Sequence, residues 1–246
     1  MNPISPDRFD AVLFDLDGVL TATAKVHAAC WKRLFDDFLE ERARATGDPL
    51  KPFDIDGDYK RYVDGKLRYE GVRSFLGSRG IDLPEGTPDE SPNNETVCGL
   101  GNRKDAMVHE VLEAEGVDVY EGSVRLVEQV RSRGIRTAVV SASKNCKVVL
   151  EAGRISHLFD QVVDGEVAEQ LRLPGKPQPD TFLTAAERIG VVPQRAVVVE
   201  DAISGVQAGR AGGFGLVIGV DRKGDPESLK QNGADIVVRD LSELVR

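Results

Sequence analysis

The sequence predicts an α/β fold: a parallel sheet covered by helices in three layers, carrying an inserted helical module. Three observations predict it. Short, nearly all-apolar runs recur along the chain, bounded by Gly, Asp or Arg, and such continuous runs mark strands buried on both faces. Helical patterns stand between most of them, and strands alternating with helices imply a parallel, helix-covered sheet. One interval, Thr21 to Gly116, far exceeds the few to about a dozen residues of an ordinary connection and is itself helical in pattern.

The first strand is Ala11–Phe14, closing an apolar run that begins at Phe9. Asp15-Leu16-Asp17-Gly18-Val19 follows at once. Two carboxylates at alternate positions of an extended stretch share one side, and Gly18 releases the chain into a loop. Open α/β sheets bind ligands at that edge. Such a pair can hold one Mg2+ ion, with one oxygen free to attack phosphorus and the second carboxyl placed to move a proton. A strand end with solvating acids fits the same residues, so the motif depends on the rest of the chain.

In the long interval, Val26, Cys30, Leu34, Phe35 and Phe38 recur at helical spacing, and Arg103 to Glu115 resembles a second amphipathic helix. Leu83 to Gly101, rich in Pro, Gly, Asn and Glu, reads as an exposed loop. A module inserted there is expected to sit over the acidic loop. The expected domains are a Rossmann-like catalytic core of residues 1–20 and 117–246 and a helical cap of residues 21–116.

After the insert, Ser123 to Arg133 is a helix closed by Gly134, and Thr137–Val140 is the second strand. That strand runs into Ser141-Ala142-Ser143-Lys144-Asn145, where a hydroxyl and free N–H groups can cradle phosphate; a plain helix N-cap uses the same residue types. Next, Gly175-Lys176-Pro177-Gln178-Pro179-Asp180 fixes one lysine between prolines, suited to hold a cation against a phosphoryl group or a phosphorylated aspartate. In isolation such a lysine reads as solvated surface. Pro179 to Ile189 is a helix, with proline in its first turn and Gly190 past its end. The strand Ala196–Val199 ends in Glu200-Asp201, carboxylates again fit for a hard cation, and Leu216–Val220 and Ile236–Val238 complete the sheet.

Bulk properties narrow the partners. A net charge of −9 argues against nucleic acid or anionic membrane. Cys30, Cys98 and Cys146 are widely spaced with no CxxC, which suggests neither a disulfide framework nor a zinc site. No run approaches a membrane span, and Met1 to Pro6 lacks the basic start and apolar segment of a signal peptide. A soluble, cytoplasmic monomer is expected.

In order and spacing, Asp15/Asp17, Ser141, Lys176 and Glu200/Asp201 resemble the four motifs of the haloacid dehalogenase superfamily of phosphotransferases. The resemblance spans nearly the whole chain, with a helical cap between the first two motifs. Within that superfamily the likeness is to the β-phosphoglucomutase subfamily. It rests on the opening from Asp15 to His27, on Trp31, on Ala142-Ser143-Lys144-Asn145, on Gly65 with Arg68, and on Arg103-Lys104. Ala22 departs from an acidic position of the family, and the loop near Pro84–Gly101 is longer.

The resemblance implies Asp15 as nucleophile, Asp17 as acid and base, and Ser141 and Lys176 as the remaining catalytic residues. It implies Mg2+ on Asp15, Asp17, Glu200 and Asp201, and a phosphorylated sugar held by His27, Trp31, Gly65, Arg68, Lys104, Ser143, Lys144 and Asn145. By themselves, His27 and Trp31 also fit ordinary helix packing, and Arg68 a solvated helix face. The implied reaction interconverts β-D-glucose 1-phosphate and glucose 6-phosphate. A Mg-dependent phosphatase of small phosphate esters is the alternative, and a non-catalytic interaction module fits the intact acidic and lysine set poorly.

Overall fold

The computed structural model describes residues 3–47 and 51–245; residues 1, 2, 48–50 and 246, which fall within the two expected domains, lie outside the described residues. Strands β1 (Ala11–Phe14), β2 (Arg136–Val140), β3 (Gln161–Val163), β4 (Ala196–Glu200), β5 (Leu216–Val220) and β6 (Ile236–Val238) form one sheet ordered β3-β2-β1-β4-β5-β6. Every neighbouring pair is parallel. The helices in chain order are α1 (Ala24–Thr46), α2 (Arg68–Ser78), α3 (Val97–Glu115), α4 (Glu121–Ser132), α5 (Cys146–Ala152), α6 (Gly165–Leu171), α7 (Asp180–Arg188), α8 (Ile203–Ala211) and α9 (Pro226–Gln231).

Register decides where the chemistry gathers. Phe14 lies opposite Val139 of β2 and Val199 of β4. One residue further on, Asp15, Val140 and Glu200 therefore emerge side by side. The strands are packed from below by α7, whose Phe182, Ala185 and Ala186 are buried against Leu13 and Val198. Full burial of a side chain such as Phe182 is worth about 1.5–3 kcal/mol. The sequence does not reveal β3, a three-residue strand at the sheet edge, half-buried and without a continuous apolar run.

The chain divides into two compact units. One runs to Thr23, takes in Gly65–Leu67 and resumes at Val117; the other comprises Ala24–Asp64 and Arg68–Gly116. Residues 21–23, assigned from the sequence to the insert, belong to the sheet-bearing unit for a local reason. The Thr21 N–H donates to Leu16 O at 3.0 Å, and the Ala22 N–H to Asp118 O at 2.9 Å. Gly65 likewise belongs there: its φ is +70°, and a Cβ would lie 2.4 Å from Ser204 Oγ.

The helical unit is built on aromatic stacking. Trp31 and Phe35 stack at 5.2 Å between ring centroids, and Phe35 meets Phe75 at 4.1 Å and Phe53 at 5.2 Å. Between α1 and α2, Ile55–Val63 forms a wide π-helical turn begun by Asp54, whose carboxylate accepts from Asp56 and Gly57 N–H groups. The expected loop Leu83–Gly101 is corrected at its end. Residues from Val97 onward are the first turn of α3, with Thr96 Oγ1 accepting from the Gly99 N–H at 2.9 Å. The glycines there serve close packing and not a turn, since a Cβ on Gly99 would lie 2.3 Å from Asn94 O.

Candidate active site

At the carboxyl edge of β1 and β4, Lys176 joins the acids. Its Nζ donates to Asp15 Oδ1 at 2.6 Å, to Glu200 Oε1 at 2.6 Å and to Val140 O at 3.0 Å. Asp15, Lys176, Glu200 and Asp201 are all buried. Glu200 is fixed at its other oxygen, which accepts from the N–H groups of Asp201 at 3.0 Å and Ala202 at 3.1 Å. Burial, then the charge of Glu200, pushes the Asp15 carboxyl well above the usual range, against the pull of Lys176. For Lys176, burial acts downward, but the charges of Asp15 and Glu200 outweigh it and raise its pKa above the ordinary lysine value.

These residues fit a hard divalent cation. One oxygen each from Asp15, Glu200 and Asp201 lies within 4.8 Å of the others. The donors are all oxygen, as magnesium or calcium requires. Three buried carboxylates against one lysine also leave negative charge that burial makes costly. The acidic loop is shaped to the cluster: Gly18 has φ +90°, and a Cβ there would stand 2.2 Å from Asp201 Oδ2. Lys223, after β5, brings its Nζ to 3.9 Å from the same oxygen.

Asp17 is oriented separately. Its Oδ1 accepts a short hydrogen bond from Thr23 Oγ1, which pairs with Thr21 Oγ1 at 2.7 Å. The loop beyond is tied down by Ser123 Oγ donating to Val19 O at 2.6 Å and by Arg222 Nε donating to Gly18 O at 2.9 Å.

The second motif lies where Lys176 meets Val140 O. Ser141 and Asn145 are buried. Ser141 Oγ accepts from the Ser143 N–H at 3.1 Å, and Ser143 Oγ from the Asn145 N–H at 3.1 Å. Successive hydrogen bonds from backbone amides to serine hydroxyls set the turn before α5. Lys144 reaches across to Glu169 at 2.7 Å. Cys146 sits at the head of α5, fully buried; burial, then the negative charges of Asp17 and Asp164, pushes its thiol well up, which removes it as a nucleophile.

The helical unit brings together another set. Lys104 Nζ lies 2.5 Å from His27 Nδ1 and 5.1 Å from the Trp31 ring centroid. Trp31 and Lys104 are buried. Arg68, at the start of α2, forms a close ion pair with Asp105 of α3. Gly65 belongs to the sheet-bearing unit.

Sequence reasoning missed Thr21, Thr23, Arg222 and Lys223. The two threonines follow the acidic motif directly, and Arg222-Lys223 stands just past the apolar run Leu216–Val220, the position that flags the other motifs. Among the described residues, no helix is long and apolar enough to cross a membrane.

The family model for haloacid dehalogenase-like hydrolases matches residues 9–213. A β-phosphoglucomutase of Mycobacterium tuberculosis (strain CDC 1551 / Oshkosh) is 50% identical over 243 residues, covering 98% of this chain and 93% of the relative. One of Bacillus subtilis (strain 168) is 31% identical, covering 95% and 91%. The crystal structure of a β-phosphoglucomutase from Clostridium difficile superposes with a TM-score of 0.74 at 26% identity, over 96% of this chain and 93% of that one.

Proposed function

The chain belongs to the haloacid dehalogenase-like hydrolase family, and on that premise we propose that it interconverts β-D-glucose 1-phosphate and glucose 6-phosphate, the activity of a β-phosphoglucomutase. The observation that carries the reading is 50% identity over 98% of the chain with an enzyme of that name. The buried set of Asp15, Lys176, Glu200 and Asp201 supports the chemistry.

Asp15 attacks phosphorus; the new P–O bond makes an aspartyl phosphate as the bond to the sugar oxygen breaks. Asp17, held by Thr23, gives its proton to that departing oxygen, and takes one back from the hydroxyl that next attacks the aspartyl phosphate. The result is a sugar bisphosphate whose two phosphates exchange roles between half-reactions. Ser141 and neighbouring N–H groups hold the transferred phosphoryl oxygens, and Lys176 offsets their charge. Magnesium is the proposed cation, held by Asp15, Glu200, Asp201 and the Asp17 carbonyl, and when bound it supplies charge neutralisation at the phosphoryl group. His27, Trp31, Lys104 and Arg68 of the helical unit are the proposed sugar and second-phosphate residues, with Gly65, Ser143, Lys144 and Asn145 lining the remainder. A cytoplasmic monomer is the proposed working form.

The test is product partition. With β-glucose 1-phosphate, Mg2+ and a trace of glucose 1,6-bisphosphate, glucose 6-phosphate should form much faster than inorganic phosphate, and omission of the bisphosphate should slow the start. Free phosphate as the main product would make the chain a phosphatase of small phosphate esters instead.

A further inference from the structure

We propose that Arg222 is a positioning residue for the acid-base loop, acting through the Gly18 carbonyl; the inference rests on Asp17 being the proton-transferring group. Arg222 stands two residues past the end of β5, with Asp221 between. Its guanidinium gathers three segments. Nε donates to Gly18 O at 2.9 Å, Nη1 donates to Arg239 O at 3.1 Å and to Asp240 Oδ2 at 3.2 Å, and the guanidinium carbon lies 3.7 Å from the centroid of the Tyr120 ring. The side chain is 17% exposed.

Gly18 is the residue of the loop with the most conformational freedom to lose. Its N–H donates to Thr21 O at 2.8 Å, and Arg222 holds its carbonyl. Both peptides that flank Gly18 are thereby fixed, including the one that carries the Asp17 carbonyl. The Asp17 carboxylate in turn accepts from Thr23 Oγ1. With the guanidinium gone, the peptide after Gly18 is free to turn, and the Asp17 carboxyl shifts with it. A lysine can offer one charged donor to Gly18 O, but it cannot reproduce the planar fork that reaches Arg239 and Asp240 at the same time or stack on Tyr120. Misplacement of a reacting group by about 1 Å can cost a hundredfold in rate.

The leaving group distinguishes positioning from mere scaffolding. A sugar alkoxide needs the Asp17 proton as it departs, whereas a para-nitrophenolate needs it little. Arg222→Lys, Arg222→Ala and Asp240→Asn should be compared with wild type on β-glucose 1-phosphate and on para-nitrophenyl phosphate, with the urea midpoint of each recorded. Arg222→Lys should lose about tenfold to a hundredfold in kcat on the sugar phosphate. It should stay within about threefold of wild type on the aryl ester, with KM little changed and the midpoint close to wild type. Asp240→Asn, which keeps the Gly18 contact, should show no such split between substrates. Equal losses on both substrates, or a loss that only follows the urea midpoint across the variants, would overturn the proposal. A wild-type protein that cleaves the aryl ester but ignores β-glucose 1-phosphate would fail the mutase reading alone. The same comparison with any alkyl phosphate that it accepts would then decide Arg222.

Discussion

Lys176 and Asp15 lie 161 residues apart in the chain and meet at 2.6 Å, both buried, and Glu200 accepts from the same ammonium, also at 2.6 Å. One cation thus holds two buried acids from two adjacent strand ends. Lys176→Met should therefore destabilise the fold by about 3–5 kcal/mol at neutral pH, because it strands buried charge without a partner. Urea unfolding measures this. A midpoint equal to wild type would show that the acids do not depend on Lys176 for their charge balance.

Asp15→Asn should abolish both trapping of a phosphoryl group on the protein and turnover, since an amide oxygen is no nucleophile. The fold should survive, because the substitution removes one negative charge from a cluster rich in them. Acid quench after mixing with labelled substrate, followed by intact mass, reads the first effect, and unfolding the second. Substantial phosphoryl transfer by a folded Asp15→Asn protein would take the nucleophile role from this residue.

Lys223 stands 3.9 Å from Asp201 Oδ2, where its charge opposes that of any cation held by Asp201. A unit charge and a divalent cation about 8 Å apart repel by about 1 kcal/mol even with the screening of bulk water. Lys223→Gln should therefore tighten Mg2+ binding roughly fivefold, as measured by calorimetric titration in the absence of substrate. Weaker or unchanged binding would show that the lysine serves another purpose.

Arg68 is paired with Asp105 within the helical unit, so a phosphate that engages it must compete with a carboxylate. Arg68→Ala should cost about ten- to a hundredfold on 6-phosphorylated or bisphosphorylated sugars and much less on a generic phosphate ester. Asp105→Asn should act in the opposite direction and lower KM for glucose 6-phosphate. Steady-state kinetics on both substrate classes decides it, and an equal loss on every substrate would remove Arg68 from the distal-phosphate role.

What the sequence discloses depends on whether a residue acts through a pattern or through a single contact. β1 and β4 are legible because strands buried on both faces are continuously apolar, and the acids that follow them inherit their placement. β3 is not, since an edge strand of Gln161, Val162 and Val163 has no such run. The start of α3 is hidden because Gly99 and Gly101 suggest a loop, while the fold uses them to bring Asn94 and Tyr69 close. Thr23 and Arg222 escaped because a hydroxyl on Asp17 and a guanidinium on a backbone carbonyl follow no spacing rule. The meeting of His27 with Lys104, 77 residues on, belongs to the same class.

The place of β1 in the sheet has a consequence for how the protein breathes. It is only four residues long, yet it is flanked on both sides, by β2 and β4, and the Asp15 N–H just beyond it is bonded to Val199 O at 2.9 Å. Amides in such a strand trade their protons with solvent only when the whole unit opens, unlike those of termini and surface loops. In a deuterium time course, peptides spanning Val12 to Asp15 should be the last of the sheet to gain mass, and the exposed turn at Lys223 and Gly224 among the first. The proposed nucleophile, Asp15, is then mounted on the slowest-exchanging part of the chain, and its position is lost only when the molecule itself is.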